Sequence, residues 1–231
     1  MRKTNFLSLA VLCLGLAACS SLGGAHHSDG SAVYLDKARL EALEFQPAPA
    51  PGSPLDRADF LELNSWQARR TPAQCARAAA EGEAYFDQFF GPLKPFTWPL
   101  SKDGRAFILR VRADIGTAVN IFKNRSARPR PFRRDPQLAP CLGKIGGLAY
   151  PSGHAATARV YALMLTEIAP TRRAEFLARA DEAALNRVIG GVHHPSDIEA
   201  GKKLGDILFN RFMQNAEFRA NLEKLRSYAA K

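Results

Sequence analysis

The chain has 231 residues, 46% of them hydrophobic and 23% charged, with a formal net charge of +10. That is enough apolar chain for a globular domain with a buried core, and it excludes a disordered or collagen-like polypeptide. The basic balance favours an anionic partner (a phosphoester, an anionic lipid or a nucleic acid) without choosing among them.

The first element is MRKTNFLSLAVLCLGLAACS. Arg2 and Lys3 precede an apolar run, Phe6 to Leu16, that is short for a bilayer span and reads as an export signal over residues 1–18. Leu16-Ala17-Ala18-Cys19 resembles a bacterial lipobox, with Cys19 as the lipidated residue; ordinary cleavage near Ala18 is the alternative. Ser20 after Cys19 implies outer-membrane sorting, so the expected location is the periplasm, with a lipid anchor in that membrane. Residues 19–34 are small and polar, a flexible tether in which His26 and His27 are more simply exposed than metal-bound. Residues 35–231 form the expected domain. Its two cysteines, Cys75 and Cys141, are either a disulfide or two buried thiols, and spacing does not decide between them.

Gln46 to Pro54 is proline-rich and reads as extended, and helical patterns begin after residue 55. Thr71-Pro72-Ala73-Gln74 predicts a helix start, with Thr71 as N-cap and Gln74 closing a capping box, and the alanine-rich run stops at Gly91. A second helix is expected over about 105–123, where Phe107, Ile108, Val111, Ile115, Val119 and Phe122 share a face. Others are expected from near His154 to Ile168, after Thr171, and from Pro195 to about Met213, with a short one at the end. Strand-type alternation is scarce, so the fold class is all-α, a single helical bundle. No later segment has 18 uninterrupted apolar residues.

Three blocks carry candidate chemistry. Lys123 to Arg130 packs four cations into eight positions without an acid, which suits either a solvated basic face or capture of an anion. Tyr150-Pro151-Ser152-Gly153-His154 opens an apolar helix, whose free N–H groups suit an anion, although a plain Ser-capped turn explains the stretch equally. The third, Asn186 to Asp197, contains GVHHPSD. Pro195 fits the first helical position and Asp197 the third, where a carboxylate stabilises a helix start or reaches back to a histidine. The only histidines outside the tether, His154, His193 and His194, lie in these blocks.

Lys123-x6-Arg130-Pro131, Pro151-Ser152-Gly153-His154 and Arg187-x5-His193-x3-Asp197 resemble the three-part motif of the PAP2 (type 2 phosphatidic acid phosphatase) superfamily, with ten specified residues matching over residues 123–197. The chain looks most similar to bacterial class A non-specific acid phosphatases. The resemblance implies that His193 attacks phosphorus and forms a phosphohistidine, that Asp197 orients it, and that His154 protonates the leaving alcohol and later activates water. It implies phosphate binding by Lys123, Arg130, Ser152, Gly153 and Arg187, with no metal and no other cofactor. Asn186 departs from the usual Ser at its position. Arg125 and Arg128 are expected to be rim charges.

The leading expectation is an exported, broad-specificity acid phosphatase acting on small phosphomonoesters. The alternatives are a lipid (phosphatidyl or polyprenyl) phosphate phosphatase at the membrane surface, and a haloperoxidase with vanadate on His193. A nucleic-acid partner is not expected, since no aromatic-rich stacking motif is present. Monomer and homo-oligomer both stay open.

Overall fold

The computed structural model describes residues 33–97 and 99–230. The expected signal, the Cys19 anchor, His26 and His27 lie outside the described residues. Ten helices are described: α1 Lys37–Glu41, α2 Pro54–Arg69, α3 Pro72–Ala80, α4 Phe86–Phe90, α5 Lys102–Ser126, α6 Pro131–Arg134, α7 Gly153–Ile168, α8 Arg173–Ile189, α9 Pro195–Phe212 and α10 Ala216–Arg226. Short 3-10 turns follow α4 and precede α8. Among the described residues the only β pairing is an isolated bridge, Phe96 to Ala229. The expected all-α class holds. No described helix is long and apolar enough to cross a membrane.

Local chemistry explains the boundaries. Thr71 caps α3 and Gln74 answers it, donor for acceptor, as expected. The alanine-rich helix ends at Ala80 rather than running on to Gly91, and a buried Glu81 marks the break. Ser53, Ser101 and Ser152 cap α2, α5 and α7 with their hydroxyls.

α7 is the central helix. It is buried almost all round, which is why its sequence is alanine-rich and apolar instead of amphipathic. α8 and α9 pack along it. α9 comes close because it presents Gly201 and Gly205 there: a Cβ on Gly201 would lie 2.4 Å from the Ser152 carbonyl oxygen, and one on Gly205 would lie 2.7 Å from Arg159 Cβ. That approach sets the N-termini of α7 and α9 side by side, and the Ser152 N–H donates to the Asp197 carbonyl at 2.9 Å. One apolar cluster joins α4, α5, α7, α8, α9 and α10. A smaller one lies under α2, around Leu63, Phe132, Val188 and Ile198.

Two cross-links secure the periphery. The Asp114 carboxylate on α5 accepts from the N–H groups of Val33, Tyr34 and Leu35, pinning the start of the domain. Cys75 on α3 and Cys141 in the loop before α7 form a disulfide, with Cα atoms 6.0 Å apart. It closes a loop of 66 residues. Replacing both cysteines by alanine is expected to cost about 4 kcal/mol of unfolding free energy, from the entropy regained by the unfolded chain. Urea unfolding of the oxidised protein and the double variant would measure it, and equal midpoints would refute it.

Candidate active site

Four helix ends meet at one place. α5 and α8 arrive by their C-termini and bring Lys123 and Arg187 in their last turns, where cations complement the helix dipole. α7 and α9 arrive by their N-termini and bring Ser152, Gly153 and His154, and Asp197. The link between α5 and α6 contributes Arg128 and Arg130, and the α8–α9 turn contributes His193.

The loop before α7 shapes this cluster through its carbonyls. Lys123 Nζ donates to the Leu148 carbonyl, and Arg130 Nη2 to that of Gly146 at 3.2 Å. Arg130 Nη1 also donates to the Val192 carbonyl at 2.9 Å and lies 2.7 Å from His193 Nε2. A guanidinium only donates, so His193 Nε2 accepts and its proton sits on Nδ1, facing Asp197 Oδ2 at 3.4 Å. The lone pair of His193 therefore points among the cations. Burial drives the His193 pKa well below its ordinary value, against the hydrogen bond it donates to Asp197, so the imidazole is neutral.

His154 is held the opposite way. Its Nε2 lies 2.9 Å from the Gly82 carbonyl and 3.2 Å from that of Glu81. Both oxygens only accept, so Nε2 carries a proton and Nδ1 is the nitrogen left for chemistry. Burial, with Arg187 next in effect, pulls its pKa down to about 3. The Glu81 side chain is fixed by Arg179 and by Asn186 Nδ2 at 3.0 Å. Asn186 thus supports the turn that holds His154. A groove of about 400 Å³ opens beside His154, lined by Ala84, Arg112, Ile115, Val119, Gly153 and Thr157.

Charge compensation separates the arginines. Arg187 is 3% exposed, and its Nε and Nη1 have no partner; Arg130 Nε is likewise unpartnered. Burial lowers both guanidiniums to about 10. Burial also lowers Lys123, to about 8, and neighbouring Arg130 adds to the effect. Two buried guanidiniums with free donors, joined by half-buried Lys123, make a strong anion site. Inorganic phosphate is therefore expected to bind about tenfold more weakly for each pH unit above about 8, as Lys123 loses its proton. Its inhibition constant from about pH 7 to 9.5 would show this, and a flat profile would refute it.

Arg128 is different, and here the structure corrects the sequence reading. It is no rim charge: it is 4% exposed and surrounded by acids. Burial opposes its charge, but Asp197 and Asp59 hold its pKa above the ordinary value. Arg125 does lie on the surface, donating to the Leu43 carbonyl. Of the other sequence candidates, Lys123, Arg130, Ser152, Gly153, His154, Arg187, His193 and Asp197 all come together. Asp56, Asp59 and Arg134, which surround Arg128 and His194, carry no signal in the sequence beyond one acid in a first helical turn, another a turn later and one more arginine in a basic run.

The profile of the PAP2 superfamily matches residues 106–219. A non-specific acid phosphatase of Providencia stuartii is 29% identical, over 96% of this chain and 97% of its own length. An acid phosphatase of Zymomonas mobilis is 30% identical, over 81% of this chain and 77% of its own. The non-specific acid phosphatase of Salmonella typhimurium is 40% identical over 34% of this chain, and the match spans only 31% of that protein. In shape, the chain is similar to a transmembrane PAP2-type phosphatidylglycerolphosphate phosphatase of Bacillus subtilis, with a TM-score of 0.52 at 21% identity over 82% of this chain and 93% of that one. It is also similar to a bacterial vanadium-dependent iodoperoxidase, with a TM-score of 0.56 at 19% identity over 76% of this chain and 52% of that one.

Proposed function

This chain belongs to the PAP2 superfamily, and from that premise we propose that it is an exported phosphomonoesterase working through a covalent phosphohistidine. The observation that carries the reading is the neutral His193, whose Nε2 lone pair points among buried cations with unused donors. In the first step Nε2 attacks phosphorus, a P–N bond forms, and the P–O bond to the alcohol breaks. His154, doubly protonated in the substrate complex, gives the proton on its Nδ1 to the departing oxygen and keeps the one on Nε2. Lys123, Arg130, Arg187 and the N–H groups at the start of α7 neutralise the charge on the phosphoryl oxygens, the task a metal ion performs in other phosphoryl-transfer sites. In the second step His154 takes a proton from water, the water oxygen attacks phosphorus, the P–N bond breaks, and phosphate and neutral His193 are released.

Broad specificity fits the groove beside His154, whose lining mixes Glu83, Arg112, Asn120 and Thr157 with Ala84, Ala113 and glycines and leaves room for leaving groups of different kinds. The N-terminal lipobox supports a periplasmic location with an outer-membrane anchor at Cys19.

The test is a panel of soluble, polyprenyl and phosphatidyl phosphate esters assayed from about pH 4 to 8, with wild type and His193→Ala in parallel. Trapping of an acid-labile phosphohistidine is expected in the wild type. Turnover confined to lipid phosphates would replace the soluble-substrate reading, and halide oxidation with vanadate and peroxide would replace the phosphatase reading. A pH signature is also expected. In the free protein His154 is protonated only below about pH 3, but a bound phosphate dianion stabilises its imidazolium. The falling limb of kcat should therefore lie at higher pH than that of kcat/KM, and coincident limbs would contradict the acid role of His154.

A further inference from the structure

Behind His193 a chain of hydrogen bonds closes on itself. Asp197 Oδ1 accepts from Arg128 Nη1 at 2.7 Å. Arg128 Nη2 donates to Asp56 Oδ1 at 3.0 Å. Asp56 takes both terminal nitrogens of Arg134, each at 2.7 Å. Arg134 Nη1 also lies 3.2 Å from His194 Nε2, and His194 Nδ1 returns to Asp197 Oδ2 at 2.8 Å. Asp59 braces this circuit: one oxygen accepts from Arg128 Nη2 at 2.8 Å and from the Ser196 hydroxyl, and the other accepts from the Ser196 N–H at 2.8 Å. Arg134 alone of these charged groups is appreciably exposed, at 16%.

The circuit sets three carboxylates, Asp56, Asp59 and Asp197, against two guanidiniums, Arg128 and Arg134. With neutral imidazoles it carries one net negative charge. Buried networks of this kind seldom improve on apolar packing as stabilisers, so stability alone is a weak reason for placing two acids of α2 here. Their effect on Asp197 is specific. Arg128 paired with Asp197 alone would draw down the negative charge that His193 needs. Asp56 and Asp59 occupy the other side of that guanidinium and share its charge. They also fix how the carboxylate is turned, with Oδ1 on Arg128 and Oδ2 toward the imidazoles of His193 and His194.

We propose that Asp59 and Asp56 are positioning residues for His193, acting through Arg128 to hold the Asp197 carboxylate in place and to keep its charge available as the phosphohistidine forms. The proposal rests on His193 being the nucleophile. Formation of the P–N bond leaves His193 positively charged with its proton on Nδ1, facing Asp197. The groups facing His193 are Lys123 from α5, Arg130 from the α5–α6 link and Asp197 from α9. Asp197 is thus the sole negative charge among them, and weakening it has no compensation.

The deciding variant is Asp59→Asn in the full chain, with Asp206→Asn as control. Asp206, on the far part of α9, pairs with Arg159 of α7 and touches none of the circuit. For Asp59→Asn, kcat on p-nitrophenyl phosphate is expected to fall about tenfold per folded molecule, with KM within about twofold. The titration midpoint of His193, followed by nitrogen NMR, is expected to move down by about half a pH unit to one unit, because its imidazolium loses support. The acid limb of kcat/KM should move with it, and Asp206→Asn should move neither. A lower unfolding temperature with unchanged kcat and an unchanged His193 midpoint would overturn the proposal, as would an equal effect of Asp206→Asn. Should Asp59→Asn fail to fold, Asp56→Asn is judged by the same measurements. If the wild type hydrolyses no phosphoester, the nucleophile reading falls by itself. The His193 midpoint then still decides whether α2 acts on that imidazole: a shift supports the coupling and an unmoved midpoint overturns it.

Discussion

His193→Ala is expected to remove at least about 10⁴-fold of phosphoester turnover, while His194→Ala stays within about tenfold of wild type. The two histidines look interchangeable in more than their order along the chain. Each is buried, each turns Nδ1 to the same oxygen of Asp197, and each sets Nε2 against an arginine. They differ in what lies beyond that arginine. Arg130, at His193, is unsatisfied at Nε and belongs to a cluster of uncompensated cations. Arg134, at His194, is committed to both oxygens of Asp56, and the His194 imidazole meets the edge of Phe60 at 5.4 Å. No anion has donors to meet at His194. Its loss should instead leave a cavity and a weaker start to α9, seen as a lower unfolding temperature. Steady-state rates normalised to folded protein would decide, and equal losses in the two variants would refute the asymmetry.

Arg187→Met should separate function from stability in opposite directions. Turnover per unit substrate, kcat/KM, is expected to fall about 10³-fold, since one donor to the transition-state charge disappears. The unfolding temperature is expected to rise by a few degrees, at about 2–4 °C per kcal/mol for a domain of this size. A buried guanidinium with two unpartnered nitrogens is a cost to the fold, and a methionine of similar length removes that cost. Glu81 offsets it only through space, by charge, because its oxygens are hydrogen-bonded to Arg179 and Asn186. The same substitution at Arg128 should do the reverse and destabilise by about 3–5 kcal/mol, since it would strand the carboxylates of Asp56, Asp59 and Asp197. Thermal unfolding and kinetics on both variants check this. A lower melting temperature for Arg187→Met would mean that the site is not built at the expense of stability.

The contrast between those two arginines shows where a one-dimensional reading ends. Arg128 and Arg130 stand two residues apart in one basic run, with nothing local to distinguish them. The partners of Arg128 lie 72 positions away at Asp56 and 69 away at Asp59 and Asp197, and only the packing of α2 and α9 brings them in. Asn186 is a second case: a substitution in the motif whose partner, Glu81, is 105 positions upstream.

What the chain states by itself is whatever short-range chemistry decides. Capping residues and hydrophobic spacing announced the helices, since those interactions reach three or four positions. The motif spacing marked Lys123, Arg130, Ser152, His154, Arg187, His193 and Asp197, because each block is a helix end with the short link or turn beside it, and so few residues of chain hold their side chains at fixed intervals. Tertiary structure alone decided which imidazole nitrogens carry protons, which cations are compensated, and that acids of α2 stand behind Asp197. Those depend on charges and hydrogen-bond partners brought within about 3 Å by packing, and a buried charge takes its character from its neighbours in space, not from its neighbours in the chain.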